Sequence, residues 1–302
     1  MYKYKFIAVF IIVILASFIL SSCGEGTVDV AQSKYEQKIV IYGYIYPGRM
    51  VENIKLTRNF PLNTSIDITQ IDLSGANAVI TDIEAAKSYK LQFNPGKVSF
   101  EYPGADLIIT AGKSYRIDVT ADIDGKTLSA SSTTRVPLEG FKIYEKNLPP
   151  MRYRELDSSG TVKNFTVNFK PSLNTDFYAV SIVPWQADRS TFIFDNAYLK
   201  LDSNKTPDNL DGYKYRARFL MNINSQAPKT EFKVEWIDTW FYGNYKLIIY
   251  VADKNFADFV VTNQSVQEPD GNFHEPKIHI EGDGIGVFGS AISDTAYFQI
   301  LR

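Results

Sequence analysis

The sequence predicts a mainly β protein: an N-terminal Ig-like or transthyretin-like β-sandwich, then a second β-rich domain with one helix. Three observations predict it. Tyr and Phe number 19 and 20 among 302 residues and come with abundant Ile and Val, the types that fit a pleated, half-buried surface. Ser114 to Ala121 alternates apolar and polar with period two, as a strand with one buried face does. Turn chemistry such as Pro47-Gly48 and Asp124-Gly125 recurs at short intervals, the spacing of sandwiches.

The chain opens with Lys3 and Lys5, then fifteen residues from Phe6 to Leu20 in which only Ser17 is polar, then Ser21-Ser22-Cys23-Gly24. A charged segment, a short apolar run and small residues form a secretory signal. The run is shorter than the roughly 18 residues a spanning helix needs. Leu20-Ser21-Ser22-Cys23 resembles a bacterial lipobox, which implies cleavage before Cys23 and acylation of its thiol and new amino group. Several acyl chains, each buried CH₂ contributing about 0.8 kcal/mol, anchor a protein stably. The membrane is then a partner through the acyl chains on Cys23.

Removal of residues 1–22 takes two lysines and no acids from a formal charge of −2, giving −4. No basic stripe offers itself to nucleic acid. Cys23 is the only cysteine, so lipidation leaves no thiol for a disulfide, a thiolate nucleophile or a thiolate metal site.

Residues 23–37 read as a tether, polar with scattered Glu25 and Asp29. Residues 38–137 read as the sandwich. Lys38–Tyr46 is a strand stopped by Pro47-Gly48, Val51–Thr57 a short second one, and Ala78–Ile83 and Tyr89–Phe93 follow. Ser114–Ala121 and Lys126–Thr134 flank the Asp124-Gly125 hairpin turn, which glycine permits at positive φ. Residues 138–160 read as a linker, because Leu148-Pro149-Pro150 forbids helix and Asp157-Ser158-Ser159-Gly160 is turn chemistry. In the C-terminal domain, 161–302, strands are expected at Val162–Phe169, Phe177–Trp185, Tyr215–Ile223, Glu231–Ile237, Tyr245–Val251 and Thr295–Leu301. A long loop is expected within 186–214. The helix is Asp253 to Ser265, with Asp253 as cap and Phe256, Phe259 and Val260 near one face.

The search for chemistry yields little. His274 and His279 are five apart around Pro276, which is not the four-residue helical spacing of zincins. Asp122-Ile123-Asp124-Gly125 lacks the final Glu of a calcium loop. Gly282–Gly289 lacks the Lys-Ser/Thr of a phosphate loop, and tight turns or close backbone packing explain its glycines. There is no Gly-x-Ser-x-Gly elbow. The sequence therefore predicts no catalytic residues, no metal and no cofactor.

Aromatics are the remaining candidates. Trp236, Trp240, Phe241 and Tyr242 are too dense to all face one core, so some are candidates for an exposed contact platform. The competing reading is core packing. Asp294-Thr295-Ala296 resembles the O-glycosylation triplet of Bacteroidetes-type envelope proteins, which would make Thr295 a modified residue.

Four features in order resemble a Bacteroidetes lipoprotein family, domain-of-unknown-function family 4249: the lipobox; the strand Ile39-Val40-Ile41-Tyr42-Gly43; Gly75-Ala76-Asn77-Ala78-Val79-Ile80, similar to a strand of transthyretin-like sandwiches; and Gly284-Ile285-Gly286-Val287-Phe288-Gly289. Asp283 interrupts the glycine run expected beside the last. These motifs are structural and carry no catalytic residue. The resemblance implies genes beside TonB-dependent outer-membrane receptors, and hence a non-enzymatic, lipid-anchored outer-membrane protein partnering such a receptor in nutrient binding or uptake. Which face of the outer membrane it occupies stays open. Two other readings stay open as well: a surface module binding carbohydrate or peptide through Trp236–Tyr242, and an envelope hydrolase with carboxylates converging in a cleft.

Overall fold

The computed structural model describes residues 35–61, 64–201, 210–263 and 276–302. The predicted signal peptide, Cys23, most of the tether and His274 lie outside the described residues.

The first half contains β1 (Ile39–Ile45), β2 (Lys55–Arg58), β3 (Asn77–Asp82), β4 (Lys87–Lys90), β5 (Gln92–Asn94), β6 (Ser99–Glu101), β7 (Ser114–Ile123) and β8 (Lys126–Arg135). The second contains β9 (Lys142–Ile143), β10 (Met151–Arg152), β11 (Phe165–Lys170), β12 (Tyr178–Pro184), the short helix α1 (Ala197–Leu201), β13 (Arg216–Leu220), β14 (Thr230–Val234), β15 (Gly243–Ala252), α2 (Lys254–Asn263), β16 (Glu281–Gly282) and β17 (Gly284–Leu301). Strand accounts for 45% and helix for 9%, so the expected mainly β class is what the chain adopts. The expected helix is α2; α1 is a five-residue addition within the stretch read as loop.

Alternation decides the faces. In β7 the residues Tyr115, Ile117, Val119, Ala121 and Ile123 are buried and their neighbours are not. The β7–β8 turn places Asp124 at φ 50° and Gly125 at φ 81°, the left-handed pair that a tight hairpin needs. β7 lies between β3 and β8 in a sheet ordered β16-β8-β7-β3-β4. Its apolar face joins β1, β2 and β6 in a first core that includes Ile41, Ile54, Ile80, Phe100 and Tyr115. A second core, with Phe169, Tyr178, Leu247 and Phe298, fills the other half.

One strand joins the two cores. The tail was expected as a glycine-rich turn followed by a strand from Thr295; it is instead a continuous 18-residue strand. Its first part, Gly284–Ser290, runs parallel to Ile39–Ile45. Its second part, Ala291–Ile300, runs antiparallel to β15. The large sheet is therefore ordered β13-β12-β15-β17-β1-β2, mixing both halves. Phe288 of β17 belongs to the first core. The glycines permit close approach: Gly286 has φ 106°, and a Cβ there would collide with the carbonyl of Ile41. The expected linker also carries structure. β9 pairs with β11, and β10 pairs with the end of β17. Residues from Gln37 to Arg302 accordingly cluster as one compact unit.

Three fully buried tyrosines pin the loops that precede their strands. Tyr115 accepts from Thr110 N–H at 2.9 Å and donates to Ile108 O. Tyr178 accepts from Ser172 N–H at 2.9 Å. Tyr245 accepts from Trp240 and Phe241 N–H and donates to Phe241 O at 2.8 Å. Each resembles the tyrosine corner of Ig-like sandwiches, in which a hydroxyl satisfies backbone a few residues upstream. Burial raises the pKa of Tyr178 and Tyr245, keeping their hydroxyl protons in place.

Candidate functional site

Tyr245 fixes the aromatic segment singled out in the sequence. With its hydroxyl holding Trp240 and Phe241, residues 236–242 split into two kinds. Trp240 and Phe241 are 4% and 0% exposed and belong to the second core, the core packing that stood as the competing reading for this segment. Phe192 stacks on Trp240, and Phe241 meets Phe192 edge-on. Trp236 and Tyr242 are half-buried at the surface, both edge-on to Tyr153.

Arginines that the sequence reading passed over lie on these rings. The Arg154 guanidinium sits 5.1 Å from the centroid of Trp236, Arg302 5.4 Å from Tyr242, Arg216 4.9 Å from Trp240 and Arg189 5.5 Å from Phe194. Such cation–π contacts contribute roughly 0.5–1 kcal/mol each when exposed. The elements form one surface. Arg302 donates to Ser190 O at 2.6 Å, Arg152 donates to Arg302 O, and Tyr242 N–H donates to Thr191 O. Six of the ten arginines and two of the three tryptophans lie in these segments, so the surface is compositionally distinct from the rest of the molecule. One sequence signal is Arg216-Ala217-Arg218, whose alternation puts two arginines on one face of β13; Arg152 and Arg154 come instead from the end of β10 and the turn after it.

Beside Trp240 the surface dips into a pocket of about 340 Å³ lined by Tyr198, Tyr213, Arg216, Arg218 and Asp238. Asp238 is buried and is closed by Arg218. A buried carboxylate without that partner would be strongly unfavourable.

A larger cleft of about 670 Å³ lies where β8, β12, β13 and β15 end against α2, and includes Arg135, Asp176, Phe177, Asp253 and Asp258. Its carboxylates bear on the hydrolase reading. Asp253 accepts from Thr134 Oγ1 at 2.6 Å and from the N–H groups of Ser290 and Phe256. Asp258 accepts from Lys254 and bonds His279 at 2.8 Å. Both are committed to holding α2, leaving Asp176 as the third.

Thr295 lies in mid-strand, paired with Ile248 and half-buried. Asp294 beside it receives Ile143 N–H at 3.0 Å and Lys146 Nζ at 2.7 Å. The folded chain thus places the Asp294-Thr295-Ala296 triplet in a sheet, not in the exposed segment that a modification site needs.

The fold and this surface define a mainly β protein with two cores fused by one strand. The chain belongs to the family described as Domain of unknown function (DUF4249), which matches residues 25–295, as the motifs at Ile39–Gly43, Gly75–Ile80 and Gly284–Gly289 implied. The comparison with curated proteins returns no match. Among solved structures, the chain is similar to one described as "Structural insight into host cell surface retention of a 1.5-MDa bacterial ice-binding adhesin", at 12% identity and TM-score 0.22, covering 89% of this chain and 66% of that one. It is also similar to a tetra-tandem repeat in the extending region of a large adhesion protein, at 8% identity and TM-score 0.22, covering 86% and 49%. A third is the native conformation of E. coli alpha-2-macroglobulin, at 11% identity and TM-score 0.20, covering 87% and 14%. The chain spans less than two thirds of each of these structures, and at such TM-scores the likeness carries no functional argument.

Proposed function

We propose that this protein is a non-enzymatic lipoprotein of the outer membrane that works by contact, docking onto a TonB-dependent receptor and assisting nutrient capture. The observation that carries the reading is Cys23, the only cysteine, placed directly after a charged and apolar signal. Acyl chains on Cys23 hold the protein at the membrane. The arginine–aromatic surface supports the contact role, since Trp, Tyr and Arg are the residues enriched at interface hot spots. Family resemblance supports the choice of receptor as partner.

Two measurements test it. Cells fed an alkyne fatty acid should label the wild-type chain and not Cys23→Ser, and the variant should leave the membrane fraction. Affinity capture of the labelled protein from detergent-solubilised outer membrane should bring down a TonB-dependent receptor identified by mass spectrometry. Labelling of Cys23→Ser would refute the anchor; a lipidated protein that captures no such receptor would refute the partner.

A further inference from the structure

We propose that the arginine–aromatic surface docks an acidic protein segment, whose carboxylates pair with the guanidinium edges of Arg154, Arg189 and Arg216. This deepens the contact reading above and rests on it for the existence of a protein partner.

The charge balance is the first ground. Arg152, Arg154, Arg189 and Arg302 lie on the segments that the Arg152 and Arg302 hydrogen bonds tie together, and Arg216 and Arg218 line the pocket beside Trp240. The acids within the same segments are Asp188, Asp195 and Asp238. Asp238 is closed by Arg218, and Asp188 is held by its own loop, through Ser190 and Thr191. Glu155 at the margin is paired with Lys163 at 2.5 Å, and Glu235 borders Trp236. Among the described residues, no carboxylate pairs with Arg154, Arg189 or Arg216. Asp195 remains as the one acid within these segments with no such partner, against three unpaired cations.

The second ground is geometry. A guanidinium held about 5 Å over a ring has its position restricted, and its N–H groups can still take a carboxylate. Arg154 is held there at a backbone φ of 57°, a conformation that non-glycine residues adopt rarely. Arg216 and Arg218 stand two apart on β13, the edge strand of the large sheet, and so share one face. The same stacking argues against a sugar platform. A sugar needs an open ring face, and the rings of Trp236, Tyr242, Trp240 and Phe194 each carry an arginine.

The test uses the full lipidated chain in detergent micelles and three probes: a Glu-Ser repeat peptide, its Gln-Ser counterpart, and oligogalacturonate of matched charge. The Glu-Ser peptide should bind, and weaken roughly tenfold or more between about 0.05 and about 0.3 M salt. The variant Arg154→Gln/Arg189→Gln/Arg216→Gln, which gives up three cation–π contacts and should melt a few degrees lower but still cooperatively, should lose roughly tenfold or more in affinity at a temperature where it is folded. Lys55→Gln/Lys90→Gln, a control in the first half, should bind as wild type. Equal binding of both peptides, equal binding by the triple variant, or tighter binding of oligogalacturonate would each overturn the proposal. Should the triple variant misfold, the single variant Arg189→Gln, on an exposed loop, must still weaken the Glu-Ser peptide, and its failure to do so overturns the proposal. Peptide binding in a protein that captures no receptor would refute the receptor reading alone. Receptor capture that survives in the triple variant would refute this surface alone.

Discussion

Thr134 donates its hydroxyl to Asp253 across 2.6 Å, tying the end of strand β8 in the first half to the residue that caps α2 in the second. Asn255 completes the seam, donating to Thr133 O and Phe288 O at 2.8 and 2.9 Å. Burial raises the Asp253 carboxyl pKa, and the bonds from Ser290, Thr134 and Phe256 only partly offset it. A raised folded-state value means that the folded chain holds the proton more tightly than the unfolded one. The stability from this group is therefore complete below the unfolded value of about 3.9 and is lost as pH rises through the folded value. Asp253→Asn keeps an acceptor and removes the titration. Urea unfolding from acid to neutral pH should show the wild type losing ground to Asp253→Asn as pH rises. Parallel curves would refute the coupling.

Asp294 should show the opposite slope. Burial alone would raise it, but hydrogen bonds from Lys146 and Ile143 N–H outweigh this and its pKa is lowered. Its contribution is present above the unfolded value and lost as pH falls through the folded one. Lys146 is half-exposed, so solvent screening limits the loss. Asp294→Asn should cost about 1 kcal/mol at neutral pH and nothing in strong acid. A cost that persists in acid would show that packing, not charge, is what Asp294 supplies.

Gly286→Ala should be the most damaging single methyl group in the protein. It combines a φ of 106° with a clash against a backbone carbonyl on β1, where nothing flexible can yield. A loss above about 3 kcal/mol is expected. Gly43→Ala meets only the side chain of Ile54 before anything rigid and should cost about 1–2 kcal/mol. Thermal denaturation of the pair checks the order.

Tyr245→Phe removes one hydroxyl and leaves two N–H groups and one carbonyl short of a partner. A cost of roughly 2–3 kcal/mol is expected, above that of Tyr178→Phe, which orphans one N–H. The aromatic segment gives a related contrast. Trp240→Ala should cost about 3–5 kcal/mol as a core deletion. Trp236→Ala should cost about 1 kcal/mol and leave the fold able to be assayed for binding. Equal losses would place both rings in the core.

Period-two alternation and turn residues made most strands legible, because those features are local. β7, β8 and the Asp124-Gly125 turn lie close to where the sequence puts them, and α2 follows its cap and apolar face. What escaped is what depends on distant partners. β6 at Ser99–Glu101 is too short to alternate visibly. Gly284–Gly289 reads as loop because glycine disfavours strands; it becomes a strand only because β1 passes too close for any side chain. The contact surface was half legible. The density of Trp236–Tyr242 marked the region, but which ring is buried depends on Tyr245 and Phe192. The arginines come from four separate segments that only the fold assembles.

The parallel pairing of β1 with β17 also sets how the molecule bears load. The chain enters the fold at Ile39, and β17 leaves the pairing toward Arg302 and the arginine surface. A pull between an anchored N-terminal segment and a partner held at that surface would draw the two strands in opposite directions along their length. The seven pairs from Ile39–Gly284 to Ile45–Ser290 would then resist in shear, all at once, rather than opening singly like a zipper. A protein stretched between a bilayer and a moving partner would keep its fold up to the force that breaks the whole set.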